Sequence, residues 1–270
     1  MKAVSPLTSH EYATMNQIHQ TAQQGFSHAA QLYQHARPNY PEAVVNWLKQ
    51  DLALDAQSSV IDLGAGTGKF LPYLKQVTSA IYAVEPIREM LQQLQAAHPD
   101  VIAIQAHSTA IPLASESIDA IVCAQSFHWF ANIETLNEMH QLLRPEGHLG
   151  LIWNQRDEHV PWVKAIADIL APLEGDTPRY HSGEWKKVFE YQQLFQLERA
   201  HVFPHSHCGS VEQVVSQRLL STSFIAAMPE AEQLALKAEF EAVIFSFTGK
   251  RPSDQITFPY VTYVYDFKKI

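Results

Sequence analysis

Between residues 59 and 153 the chain alternates short, solidly apolar runs with longer stretches in which apolar side chains return every third or fourth position. Ser59-Val60-Ile61-Asp62-Leu63, Ala80–Val84, Val101–Ile104, Ile118–Cys123 and His148–Trp153 are the runs. Most are rich in β-branched residues, the pattern of strands buried on both faces of a parallel sheet. The stretches between them carry a helical period. Lys69–Val77 is expected to be helical, with Pro72 held in its first turn. Ile87–Ala97 places Met90, Leu91 and Leu94 on one face. Asn132–Leu143 starts near a capping Asn, turns Leu136, Met139, Leu142 and Leu143 inward, and ends at Arg144-Pro145-Glu146-Gly147. Ahead of the first strand, the prolines of Arg37-Pro38-Asn39-Tyr40-Pro41 hold an extended corner, and Pro41 opens a helix through Val44, Val45, Trp47 and Leu48. Strands joined by helical segments of this length build right-handed βαβ units and a doubly wound α/β sheet.

The pattern changes after Trp153. Residues 155–190 predict Trp-bearing or Pro-broken helical pieces, Phe195–Phe203 a strand, and Val211–Phe247 a strongly helical stretch. Tyr260–Tyr265 closes the chain as an aromatic and β-branched strand. Three regions follow: a polar helical segment over 1–40, a ligand-binding core over 41–154, and 155–270, which adds two late strands and helical insertions that form a cap.

Composition narrows the function classes. With 46% of 270 residues hydrophobic, there is apolar material for a sizeable core, in one large domain or one with an insertion. A net charge of −9 repels phosphate backbones, so nucleic acid is not an expected partner. No run is apolar enough to cross a bilayer, and the N-terminus lacks the apolar stretch of a signal peptide. Cys123 and Cys208 form no ligand-spaced pair. A cytoplasmic protein without a membrane partner, monomeric or homodimeric, is the expectation. His201, His205 and His207 lie close in sequence, but only Cys208 is near enough to join them, so no metal is expected.

The chemistry centres on Val60-Ile61-Asp62-Leu63-Gly64-Ala65-Gly66-Thr67-Gly68. A strand that feeds a Gly-rich turn presents backbone N–H groups and bare Cα atoms to a ligand. A dinucleotide fingerprint starting at Gly64 requires Gly at position 69, where this chain has Lys69. Asp62 adds a carboxylate that a pyrophosphate would not welcome. A ligand with a cationic end would, and S-adenosylmethionine carries a sulfonium and an ammonium group. Glu85, at the end of the second strand, is placed to accept two ribose hydroxyls, a feature shared with NAD enzymes. Together these residues read as a site for an adenosine ligand.

The motifs Asp62–Gly68, Val84-Glu85-Pro86 with Met90, Ile111-Pro112-Leu113, Ile118–Val122 and Leu143-Arg144-Pro145-Glu146-Gly147 occur in that order. The chain thereby resembles the class I S-adenosylmethionine-dependent methyltransferases over roughly residues 40–153. Gln125-Ser126-Phe127-His128-Trp129-Phe130, with Trp153-Asn154-Gln155-Arg156-Asp157 and Phe258-Pro259-Tyr260-Val261-Thr262, looks like the small-molecule, trans-aconitate-type branch. Glu146 departs from the Gly usual at its place, which concerns a turn and not the ligand site. The resemblance implies a Rossmann-like seven-stranded sheet, mostly parallel with the last strand antiparallel, under a helical cap. It also implies roles for matching positions. Gly64, Ala65, Gly66, Thr67 and Gly68 would pack on the methionine part, with Asp62 near the ammonium. Glu85 would hold the ribose, Pro86 and Met90 flank the adenine, and His107 and Ser108 read its edge. Gln125 would offer its carbonyl to the ammonium, and Tyr33 and Arg37 match a lid segment.

Methyl transfer from a sulfonium is an in-line displacement, so positioning supplies much of the catalysis. A general base is needed only for an acceptor that must lose a proton. His128 is the candidate base, as against a histidine bonded structurally below the pocket, and Trp129 forms a pocket wall. Trp153 and Asn154 are candidates for the acceptor site. Arg156 is another, although pairing with Asp157 or a place in solvent is the stronger expectation for it. A small-molecule acceptor, with carboxylate or hydroxyl oxygen favoured, fits best. A cofactor-binding sensor or scaffold and, less well, an NAD-dependent oxidoreductase are the alternatives.

Overall fold

A computed structural model describes residues 37–270. Tyr33 and nearly all of the expected 1–40 segment lie outside the described residues. Seven strands form one sheet in the order β3-β2-β1-β4-β5-β7-β6. They are β1 Ser59–Leu63, β2 Ala80–Val84, β3 Ile102–Ile104, β4 Ile118–Ala124, β5 Leu143–Arg156, β6 Phe195–Ser210 and β7 Gln255–Lys269. β1 to β5 run parallel, and β7 lies antiparallel between β5 and β6. This is the fold the alternation predicts. β1 pairs with β2 on one side and β4 on the other, so the chain leaves β1 near the point where the strand order reverses. Ligand crevices open at the strand ends there.

Helices cover both faces. α1 Ala43–Gln50, α2 Leu71–Leu74 and part of α3 Arg88–Ala97 close one apolar layer around Trp47, Leu48, Phe70 and Leu94. The other face is covered by α4 Ile133–Leu142 with Trp185 and Phe195. Asn132 caps α4 as expected, its Oδ1 accepting from the Thr135 N–H. α2 is much shorter than the expected Lys69–Val77. Gly68 at φ +84° and Pro72 at the helix start leave turns on both sides of a single helical turn.

A third apolar cluster packs on the first residues of β7, Ile256, Phe258 and Tyr260. It joins α5 Pro161–Leu170, a π-helical segment Glu212–Gln217, short turns at Arg218–Leu220 and Ser223–Ala226, and α6 Glu230–Thr248. Trp162, Val214, Phe240, Phe258 and Tyr260 form its centre. The expected single helical stretch over 211–247 is broken at Thr222 and at Met228-Pro229, because Pro229 cannot continue a helix. β6 and β7 run well beyond the expected strands. The outer part of their ribbon carries polar residues open to solvent on β6, so hydrophobic alternation does not mark its length. Pro204 sits in β6, the edge strand of the sheet, where proline is tolerated. No helix among the described residues is long and apolar enough to cross a membrane.

Candidate active site

The turn after β1 is strapped to β2. The Gly64 and Ala65 N–H groups donate to the Val84 carbonyl at 2.8 and 3.1 Å. Gly64, at φ +70°, admits no side chain, since a Cβ would stand 2.6 Å from that of Ser126. Ser126 Oγ in turn donates to the Leu63 carbonyl at 2.6 Å, which ties the end of β4 to the turn. Gly68 is closed off by His98 and Leu71, so its bareness serves packing. Gly66 faces open space toward Met90, whose Cε would be 3.8 Å from an added Cβ.

Two carboxylates flank this turn, both buried. Glu85 Oε2 accepts from the Gly66 N–H and Oε1 from the Ile87 N–H, each at 2.9 Å. Asp62 is fully buried, and neither of its oxygens has a partner, nor does the buried Thr67 hydroxyl. Burial pushes the Asp62 carboxyl up to about 8, with the charge of Glu85 adding to the shift. Burial pushes Glu85 up to about 7 against its two backbone donors. Orphaned buried oxygens are rare and costly, and a ligand bringing a cation or N–H donors to this crevice would satisfy them. The donor set therefore fits a cofactor with an ammonium group and an adjacent ribose.

Met90 is buried on α3 and Pro86 follows Glu85. His107 is exposed, while Ser108 Oγ shares a hydrogen bond with Thr135 Oγ1 at 2.8 Å. Gln125 follows β4 at φ +60°, a conformation most side chains avoid, held by its N–H to the Ile152 carbonyl and its Nε2 to the Asn154 carbonyl.

A cleft at the ends of β4 and β5 brings Arg37, Gln125, His128, Trp129, Trp153 and Asn154 together, and adds Arg156, Arg179, Tyr180, His181, Arg218 and Tyr260. The sequence-derived candidates for substrate and catalysis thus share one wall. Asn154 has both ends of its amide engaged, Nδ2 donating to the Asn39 carbonyl at 2.8 Å and Oδ1 accepting from Thr262 Oγ1 at 2.6 Å. It ties the Arg37–Asn39 stretch to the sheet. Arg37 bonds the buried Ser221 through Nε and Nη2.

Arg156 corrects an expectation. It lines the cleft with a buried, unpartnered Nε, while Asp157 bonds His159 instead. β5 simply runs longer than Trp153 and carries Arg156 inward. Arg179 and Arg218 come from the insertions, far away in sequence, and no local motif marks them, while Tyr260 comes from β7 within the Phe258–Thr262 motif. The Arg218 Nε and the Tyr260 hydroxyl are also buried without partners. Burial pulls the Arg179 guanidinium down to about 10, with Arg156 and Arg218 acting the same way and Glu174 opposing. Glu174 pairs with Arg179 at 3.5 Å and His181 at 2.9 Å.

The strand order, the reversed seventh strand and the Gly-rich turn between two buried acids define a class I methyltransferase. Residues 61–151 match the model of a methyltransferase domain. The chain is 37% identical to a methyltransferase-like protein of Schizosaccharomyces pombe, over 88% of this chain and 92% of that one. It is 36% identical to a methyltransferase of Mycobacterium tuberculosis, over 68% and 77%. The structure of a putative type II methyltransferase from Anaeromyxobacter dehalogenans superimposes with a TM-score of 0.64 at 22% identity, covering 86% of this chain and 97% of that one. The chain belongs to the class I S-adenosylmethionine-dependent methyltransferase family, and this sets the nicotinamide alternative aside.

Proposed function

We propose that the protein transfers a methyl group from S-adenosylmethionine to an oxygen of a small acidic acceptor, a carboxylate above all. The observation that carries this reading is the charge of the cleft. Arg37, Arg156, Arg179 and Arg218 line it in a protein whose net charge is −9. The buried guanidinium Nε atoms of Arg156 and Arg218 lack partners, and an anion supplies them.

Asp62 would hold the ammonium end of the cofactor, together with the Gln125 carbonyl and the backbone of Gly64 to Gly68. Glu85 would take the ribose, and Pro86, Met90, His107 and Ser108 would surround the adenine. When bound, the cofactor supplies an already activated methyl group on a sulfonium. The residues of the cleft hold the acceptor oxygen in line and exclude water. A carboxylate oxygen brings its own electron pair, and no proton leaves it.

The test is methyl transfer from labelled donor to a panel of carboxylates, neutral alcohols and amines. Carboxylates are the expected substrates. Arg156→Met or Arg218→Met is expected to raise the acceptor KM about tenfold or more, the size of a lost charge-assisted bond. The affinity for S-adenosylhomocysteine should be unchanged. Preferred turnover of amines or neutral alcohols would overturn the proposal.

A further inference from the structure

His128 sits in a 3-10 turn, Phe127–Trp129, directly after β4, and is partly exposed where it lines the cleft. Its Nδ1 lies 3.0 Å from the indole Nε1 of Trp153. An indole N–H can only donate, so the Nδ1 lone pair is occupied and the neutral ring carries its proton on Nε2. Trp153 cannot easily turn away. It is fully buried in β5, with Trp185 at 4.6 Å and Tyr180 at 5.0 Å between ring centroids. The bond therefore fixes both the tautomer and the aim of the imidazole.

We infer that His128 is a tautomer-locked hydrogen-bond donor that orients the acceptor's carboxylate through Nε2–H, and that Trp153 is the positioning residue that locks it. This rests on the reading of the cleft as the acceptor site. A base needs a free lone pair facing its substrate, and His128 presents a proton there instead. Positive neighbours of the ring oppose a second proton. Arg37 faces it from the segment before α1, and Arg179 and His181 from the loop after α5, the last two partly balanced by Glu174. Burial first, and these cations second, hold the imidazolium form down to about 3. Trp153 and His128 thus work as one unit. The cleft then accepts an oxygen that is already anionic and offers no help to one that must lose a proton.

The direct test is long-range proton–nitrogen NMR on the full chain with labelled histidine, His128 being assigned by its loss in His128→Gln. The Nε2–H tautomer is expected, unchanged between about pH 5 and 8. Trp153→Phe should release the ring, giving a tautomer mixture and a pKa moved up toward the ordinary range. An Nδ1–H tautomer, or titration of His128 between pH 5 and 8 in the wild type, would overturn the lock. The wild-type spectrum decides even if Trp153→Phe does not fold.

Kinetics supply the second readout, with succinate and citrate as probes alongside any carboxylate the panel identifies. His128→Phe is expected to raise the acceptor KM about tenfold with kcat little changed. His128→Gln, which keeps an N–H donor, should recover most of that. A kcat loss of about a hundredfold or more in His128→Gln, together with loss of an alkaline-rising limb in the pH profile, would establish a base and refute the donor. A locked tautomer with turnover of neutral alcohols alone would uphold the lock and defeat the acidic-acceptor reading.

Discussion

Burial, with the charge of Glu85 beside it, pushes the Asp62 carboxyl up to about 8, and burial pushes Glu85 up to about 7. Both folded-state values lie above the ordinary 3.8 and 4.5. The stability they contribute is therefore fully present below about pH 4 and is lost progressively as pH rises from there through the folded-state values of about 7 and 8. A ligand ammonium reverses this by favouring the ionised form. Binding of S-adenosylhomocysteine at pH 7 is accordingly expected to release about one proton, seen by calorimetry in buffers of different ionisation enthalpy. The release should fade by about pH 9, where Asp62 is already ionised. Asp62→Asn should abolish it, weaken binding at least about tenfold, and leave the free protein more stable at pH 8. Proton uptake on binding would contradict the assignment. These acids are legible in the sequence because each sits at the end of a short apolar run. Arg179 and Arg218 are not, because only the folding of the insertions brings them to the cleft.

Among the elements, β5 is the hinge between what the sequence discloses and what it conceals. Its inner half follows from the apolar run His148–Trp153, while its continuation to Arg156 depends on pairing with Tyr260 of β7. At the inner end Gly150 meets α1. A Cβ there would approach Leu52 Cδ1 at 2.7 Å and the indole Cη2 of Trp47 at 2.8 Å. Gly150→Ala is expected to cost about 1–3 kcal/mol in a denaturant titration, the range of overpacking. The cofactor site should remain intact in the folded fraction. An unchanged midpoint would mean that α1 can move off the sheet. α2 teaches the complementary lesson. Its apolar pattern is helical, yet the Gly-rich turn and Pro72 leave room for a single turn, because the ligand loop sets the local backbone. In the stretch after Val211 helical character was readable but the break at Pro229 decides where it folds back.

At the scale of the whole molecule, the alternation of runs over 59–153 was enough to foresee a doubly wound sheet. The position of β7 between β5 and β6 was not contained in any local pattern, since it depends on long-range pairing. The charge distribution is also a property of the whole. Four arginines line the cleft of a protein whose net charge is −9, so an anionic acceptor of the kind proposed would be drawn inward by a short-range field. Raising salt from about 50 to 500 mM is expected to raise the acceptor KM severalfold, as the Debye length contracts to a few ångströms. The affinity for S-adenosylhomocysteine, governed by buried acids, should move less. Equal salt dependence of both would argue against separate electrostatic compartments.

Ser210 and Gln255 are paired neighbours across β6 and β7, and everything between them is the excursion that contributes Arg218 and α6. Both feet of that excursion stand on one rung of the ribbon. A replacement of any length can therefore be grafted between them with little strain on the sheet or on the turn after β1, which lies several strands away. Of the residues that line the cleft, the excursion supplies Arg218 and Ser223, while Arg156, Arg179, His128 and Trp153 stand outside it. Exchanging this one loop would therefore alter one side of the cleft and leave the turn after β1 in place.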